Sequence, residues 1–274
     1  MDELPRANES IAGPALASSN ETPAIQIRDL RKAYGSFVAV DGLTLSVPQG
    51  CFFGFLGPNG AGKTTTIRML TGLAIPTSGT MEVLGLRMPE SAFDIRRQIG
   101  IVPDDSLLFD HLTGYEYLQF VGRMYGLARS VAQDRAAELL NLFEVGQEES
   151  KLAGEYSKGM RKRLAMGAAL IHRPRLFLMD EPFEGVDVVG ARLMKNILTE
   201  QVHRGATVFL TSHVLEVVER LCDRVAIINK GRMVIEGGMA EVRTQAEGGS
   251  THLEDIFVRL VGAERPTSEV LDWL

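Results

Sequence analysis

The sequence predicts an α/β fold with a largely parallel sheet. Three observations carry that expectation. Leu176-Phe177-Leu178-Met179 is a short, unbroken apolar run between Arg-Pro-Arg and Asp-Glu-Pro, the pattern of a strand buried on both faces. Cys51 to Leu56 is a second such run, and it leads through a glycine-rich loop into a helix-forming stretch, Thr65 to Leu73. Further along, strand-like runs at Val208 to Thr211 and Arg224 to Asn229 alternate with helical stretches. That alternation builds parallel sheets covered by helices.

Taken in order, Met1 to Pro23 opens with Asp2 and Glu3 and lacks a continuous apolar core. It reads as a mobile tail and not as a secretory signal. Ala24 to Leu30 alternates apolar and polar residues, as a half-buried strand does, and Val38 to Val47 holds a second such stretch. Pro48-Gln49-Gly50 turns the chain into the Cys51 to Leu56 strand, and Thr80 to Leu84 follows the Pro76-Thr77-Ser78-Gly79 turn as another strand. From about Pro89 to 165 the pattern becomes helical. Thr113 with Glu116, and Ser130 with Gln133, are capping-box spacings. Behind them Leu118, Val121, Ala136, Leu139 and Phe143 supply apolar faces. Met233 to Glu236 closes a small hairpin after Lys230-Gly231. Thr251 and Glu254 start a C-terminal helix whose Leu253, Ile256, Phe257, Leu260 and Val261 share a face, expected to pack on the sheet.

The bulk numbers set bounds. With 274 residues the chain can bury a sizeable core. It is 45% hydrophobic and 23% charged, with a net charge of −6. That balance is ordinary for a globular protein and lacks the basic excess of a general nucleic-acid binder. The two cysteines, Cys51 and Cys222, have no C-x-x-C spacing, which points to a reducing cytosolic setting. No apolar run reaches the ~18 residues of a membrane span. Any work at a membrane then needs another chain for the membrane part.

The chemistry concentrates at Gly57-Pro58-Asn59-Gly60-Ala61-Gly62-Lys63-Thr64-Thr65, a G-x-x-x-x-G-K-S/T phosphate-loop pattern between a strand and a helix. Glycines let the backbone curl so that its N–H groups approach phosphate oxygens. The helix that follows points its unpaired N–H groups at the same anion. Lys63 adds a point charge, and the Thr64 hydroxyl suits Mg²⁺. Asp180 and Glu181 end the Leu176 strand, where one acid can hold Mg²⁺ and the other can polarise an attacking water.

With these motifs in place, about residues 24 to 240 resemble the ATP-binding subunits of ABC transporters, in the ABC-2-type exporter subfamily. Tyr156-Ser157-Lys158-Gly159-Met160 stands at the family signature, Gly185-Val186-Asp187 at the D-loop, His213 at the switch histidine, and Tyr34 at the aromatic that stacks on adenine. The resemblance implies a phosphate-loop NTPase core with a mostly parallel sheet. It adds an antiparallel β subdomain on the N-terminal side and an inserted α-helical subdomain at about 89–165. The implied partition is a tail at 1–23, an ATPase domain at 24–240 and a helical extension at 241–274. It implies an ATPase that drives export through a separately encoded integral membrane permease, on the cytoplasmic face of the membrane. Two copies, or this chain and a related ATPase subunit, would face each other across two ATP molecules, with Ser157 and Gly159 meeting the partner's nucleotide. Nucleic acid is not an expected partner. The competing expectation is a nucleotide-gated regulator or scaffold without transport, and Glu181 and His213 argue against it.

Two departures from the family pattern stand out. Where the family usually has Gln after the Ile99 to Val102 strand, this chain has Asp104, a carboxylate able to ligate Mg²⁺. Lys158 and Met160 replace Gly and Gln in the signature; Lys158 is either an extra cation for the opposite ATP or a solvated side chain. Ser157 is read either as a γ-phosphate ligand or as a plain helix cap. Leu107 to Leu112, with Leu108 and Phe109, is either the groove for the permease or part of the helical core.

Overall fold

The computed structural model describes residues 22–105, 108–145, 150–245 and 252–262. Residues 1–21 of the expected tail, Leu107, the Thr251 cap and the end of the C-terminal extension lie outside the described residues.

Strands β1 (Ile25–Tyr34) and β2 (Phe37–Val47) form an antiparallel hairpin. Next come β3 (Phe52–Leu56), α1 (Lys63–Leu70), β4 (Ser78–Val83) and β5 (Leu86–Met88). After them run α2 (Ala92–Arg96), β6 (Ile99–Val102), α3 (Gly114–Met124), α4 (Arg129–Leu142) and α5 (Lys158–Leu170). The rest of the chain forms β7 (Leu176–Asp180), α6 (Val188–His203), β8 (Thr207–Thr211), α7 (Leu215–Leu221), β9 (Arg224–Asn229), β10 (Arg232–Gly238), α8 (Met239–Gln245) and α9 (Leu253–Val261).

Two sheets result. An antiparallel one runs β2-β1-β4-β5, and a six-stranded one runs β10-β9-β3-β8-β7-β6. In the second sheet every neighbouring pair is parallel except β9 and β10. Strand β3 shows why its sequence is apolar throughout. Phe52 and Leu56 enter one core with Phe177, Met179, Val208 and Leu210. Phe53 and Phe55 point the other way, into a second core with α1 and the antiparallel sheet, since strand side chains alternate faces. There Phe53 stacks on Phe209 with centroids 5.8 Å apart. Leu253 and Ile256 of α9 are buried in the first core.

The structure departs from the sequence reading in three places. The helical stretch expected from about Pro89 is interrupted by the strand expected at Ile99 to Val102: this is β6, which pairs in parallel with β7 and so belongs to the edge of the main sheet and not to a helical insert. Helix α4 does not start at a Ser130 cap. Its N-cap is Ala128, without a side-chain bond. The chain is already helical there because the Ala128 carbonyl accepts from Ala132 N–H at 2.9 Å. Strand β1 runs on to Tyr34, beyond the expected Leu30, because register shifts after Ile27 and Leu30 break its alternation. Asp29 sits at a φ of 47° in that bulge.

Candidate functional site

The site forms at the carboxyl ends of the parallel strands, the usual ligand position in open α/β sheets. Leaving β3, the chain packs so tightly at Gly57 that a Cβ there would lie 2.4 Å from the Ile228 carbonyl oxygen. Gly62, at a φ of 108°, is the N-cap of α1 and supplies no side-chain cap. The first-turn N–H groups of α1 therefore remain available to an anion. Asn59 and Gly60 form the exposed crest of the loop. At its base, Ala61 N–H donates to the Pro58 carbonyl (3.1 Å), and the Ala61 carbonyl accepts from Gly231 N–H (3.0 Å). The β9–β10 turn thus pins the loop from behind.

Lys63 is 7% exposed and folds back over the loop, donating to the carbonyls of Gly57 (2.7 Å) and Pro58 (3.3 Å). Burial pulls its pKa down, while Glu181, Asp180 and Asp104 push it up. Three acids from two parts of the chain, Asp104 after β6 and the adjacent Asp180 and Glu181 at the end of β7, therefore act on one buried cation. Thr64 is exposed in the first turn of α1, with Thr65 half-buried beside it.

Asp180 is buried at the end of β7. The Thr211 hydroxyl, at the end of β8, donates to Asp180 Oδ1 at 2.5 Å and accepts from Glu181 N–H at 3.2 Å. One hydroxyl thereby fixes both acids and leaves Asp180 Oδ2 for a cation. Glu181 has a φ of 47°, a conformation costing a residue with a side chain about 1–3 kcal/mol. Its Oε2 accepts from His213 N–H (3.2 Å) and lies 3.0 Å from His213 Nδ1. A carboxylate only accepts, so Nδ1 carries the proton. Thr211→Val keeps the shape and removes the hydroxyl, leaving two buried polar groups unpaired. The expected result is a stability loss of about 1–3 kcal/mol in urea unfolding, with ATP turnover falling more than ATP affinity.

Asp104 follows β6. Its Oδ1 lies 3.6 Å from Nζ of Lys162 on α5, a residue the sequence reading passed over. The available signal was its spacing: Gly159, Lys162, Ala165, Met166 and Ala169 share the buried face of α5. Thr211 likewise carries no signal in the sequence beyond ending a strand. Ser157 is the N-cap of α5 and accepts from Met160 N–H at 3.2 Å. Gly159 packs on the Gly185 turn, where a Cβ would meet the Gly185 carbonyl at 2.9 Å. Lys158 is paired with Glu184 at 2.6 Å. Lys63, Asp104, Asp180, Glu181 and His213 are thus drawn together, while Ser157 caps α5 and Gly159 packs on the turn before α6. Tyr34, about half exposed, lies under Lys32 Nζ at 4.7 Å from its ring centroid.

An uncapped helix behind a glycine loop, a buried lysine and strand-end acids together define a phosphate-loop nucleotide-binding protein. The chain belongs to the ABC transporter family, whose profile matches residues 40–184. It is 39% identical over 240 residues to the Nod factor export ATP-binding protein I of Ralstonia nicotianae, covering 88% of this chain and 74% of that protein. It is also 39% identical to the linearmycin resistance ATP-binding protein LnrL of Bacillus subtilis, over 84% of this chain and 74% of that one. A solved ATP-binding subunit of an ABC transporter superposes with a TM-score of 0.81 at 30% identity, covering 86% of this chain and 99% of the other. Within the family the chain is an ATP-binding subunit. None of its described helices is long and apolar enough to cross a membrane.

Proposed function

We propose that this chain hydrolyses ATP with Mg²⁺ to drive export through a separately encoded membrane permease. The observation that carries the proposal is the network in which Thr211 fixes Asp180 and Glu181 and His213 holds the Glu181 carboxylate. A nucleotide-gated scaffold would have no use for a strained, doubly held acid beside the phosphate loop.

The roles follow from the geometry. The first-turn amides of α1 and the Lys63 ammonium receive the β- and γ-phosphates. Tyr34 offers the exposed face of its ring to adenine. Asp180, the Thr64 hydroxyl and Asp104 are the oxygen donors for Mg²⁺, a hard cation that suits such a set. Bound there, the metal would neutralise charge on the phosphates. Glu181 orients a water in line with the γ-phosphate and polarises its O–H bond, and His213 keeps that carboxylate aimed. The terminal P–O bond breaks, giving ADP and phosphate.

Ser157 caps α5 and Gly159 packs on the Gly185 turn at the start of that helix, and we assign this helix start to the nucleotide of a second copy, or a related ATPase subunit, bound head to tail across two ATP molecules. Exposed Val188 and Val189, directly after Asp187, suit that contact. Exposed Phe109, Phe120 and Met124 form an apolar patch to which Leu108 connects the core. We assign this patch to the permease, which would hold the chain on the cytoplasmic face of the membrane. The Nod factor and linearmycin relatives are named for export and resistance, which supports the direction. The partition at 1–23, 24–240 and 241–274, with a helical subdomain at about 89–165, belongs to this proposal. Its test is steady ATP turnover by the purified chain, accelerated when the permease is supplied in lipid. A chain that binds ATP and never turns it over, with or without the permease, contradicts it.

A further inference from the structure

Lys162 is 1% exposed. A lysine is almost never fully buried unless it is paired. Its ammonium has three N–H donors and faces three acceptors: the Pro103 carbonyl at 3.0 Å, the Asp180 carbonyl at 3.4 Å and Asp104 Oδ1 at 3.6 Å. Pro103 directly follows β6, and Asp180 ends β7. One side chain on α5 therefore ties together the ends of two adjacent strands. The first turn of the same helix carries Gly159, with Ser157 as its cap.

The charge count at the site gives this tie a purpose. Asp104, Asp180 and Glu181 all act on Lys63, so three carboxylates surround the place where a triphosphate is to bind. Asp104 is also the strongest charge acting on Lys162. Lys63 is occupied by the loop carbonyls and the incoming phosphates. The second buried cation faces Asp104.

We propose that Lys162 is a positioning residue for nucleotide binding: it holds the Asp104 carboxylate at the strand ends and offsets its charge, so that an acid can stand beside the phosphates. This rests on the reading of Asp104 as a group facing the metal and nucleotide. A merely structural bolt would need only the two carbonyls and would be indifferent to residue 104.

The test is a double-substitution cycle with Lys162→Gln, Asp104→Asn and the pair, with Lys162→Arg as the charge-keeping control. Two quantities are measured: urea stability without nucleotide, and ATP binding by equilibrium dialysis across a Mg²⁺ titration. The expected result is that K162Q raises the half-saturating Mg²⁺ concentration roughly tenfold, the scale of a coupled close charge pair. Adding D104N should bring the value back to within about twofold of D104N alone, and K162R should stay near the parent. Independent, multiplying effects of the two substitutions would overturn the proposal. So would a K162Q titration superimposable on the parent's. If K162Q yields no folded protein, the proposal requires the double variant to fold, and a double variant that also fails contradicts it. Coupling in apo stability alongside a Mg²⁺ titration that D104N leaves flat would sink the metal-facing reading of Asp104. Lys162 would then be a structural tie and not a positioning residue.

Discussion

Lys63→Ala is expected to lower ATP affinity by about 30- to 150-fold, the equivalent of ~2–3 kcal/mol for a lost charge-assisted contact. The size follows from where the ammonium sits. It is nearly buried and already held over the loop by the Gly57 and Pro58 carbonyls, so little side-chain freedom remains to be lost on binding. It is also the buried cation on which Asp104, Asp180 and Glu181 act together. Its removal therefore weakens attraction for phosphate and leaves those acids to repel the same phosphates. Circular dichroism should show a folded protein, because the substitution releases two loop carbonyls only, the buried one of Gly57 and the half-buried one of Pro58 beside the exposed crest. Calorimetric titration with MgATP checks the affinity, and an unchanged value would rule out the cradle.

The second large effect falls on the chemical step. Glu181→Gln should cut ATP turnover by about 10²- to 10⁴-fold, the usual contribution of a positioned base, while nucleotide affinity stays within a few-fold. Glutamine is isosteric, and its carbonyl oxygen can still accept from His213 N–H, as Glu181 Oε2 does at 3.2 Å. What disappears is the negative charge that polarises water. Single-turnover phosphate release beside an equilibrium binding curve separates the two quantities. Equal losses in both would mean that Glu181 binds nucleotide and does not activate water.

The parts of the molecule that obey one local rule were readable from the sequence. Strands buried on both faces announce themselves as apolar runs, and β9 was placed at its observed bounds, Arg224–Asn229. The phosphate loop was readable because its geometry tolerates few residue types: Gly57 has no room for a Cβ and Gly62 needs a positive φ. The Thr113–Glu116 capping box is present as expected. What escaped depends on tertiary context. The β1 bulge breaks the alternation that marks a strand. Ser130 has the spacing of a cap, yet α4 was already under way at Ala128. Thr211 matters only because β7 and β8 lie side by side, with Asp180 opposite Thr211. Lys162 is invisible to pattern reading because its partners are 58 to 59 positions earlier for one strand end and 18 later for the other. The contorted backbone at Glu181, with its φ of 47°, is likewise set by the groups that hold it and not by its own sequence.

The central claim is that ATP completes a pocket shared by two chains, with Ser157 and Gly159 at the start of α5 meeting the partner's nucleotide. The most direct measurement is the molar mass of the Glu181→Gln variant by light scattering, with and without saturating MgATP. The account predicts a monomer without nucleotide and a stable dimer with it, reverting when ATP is removed. A variant that binds ATP and stays monomeric with its permease partner supplied would contradict the account.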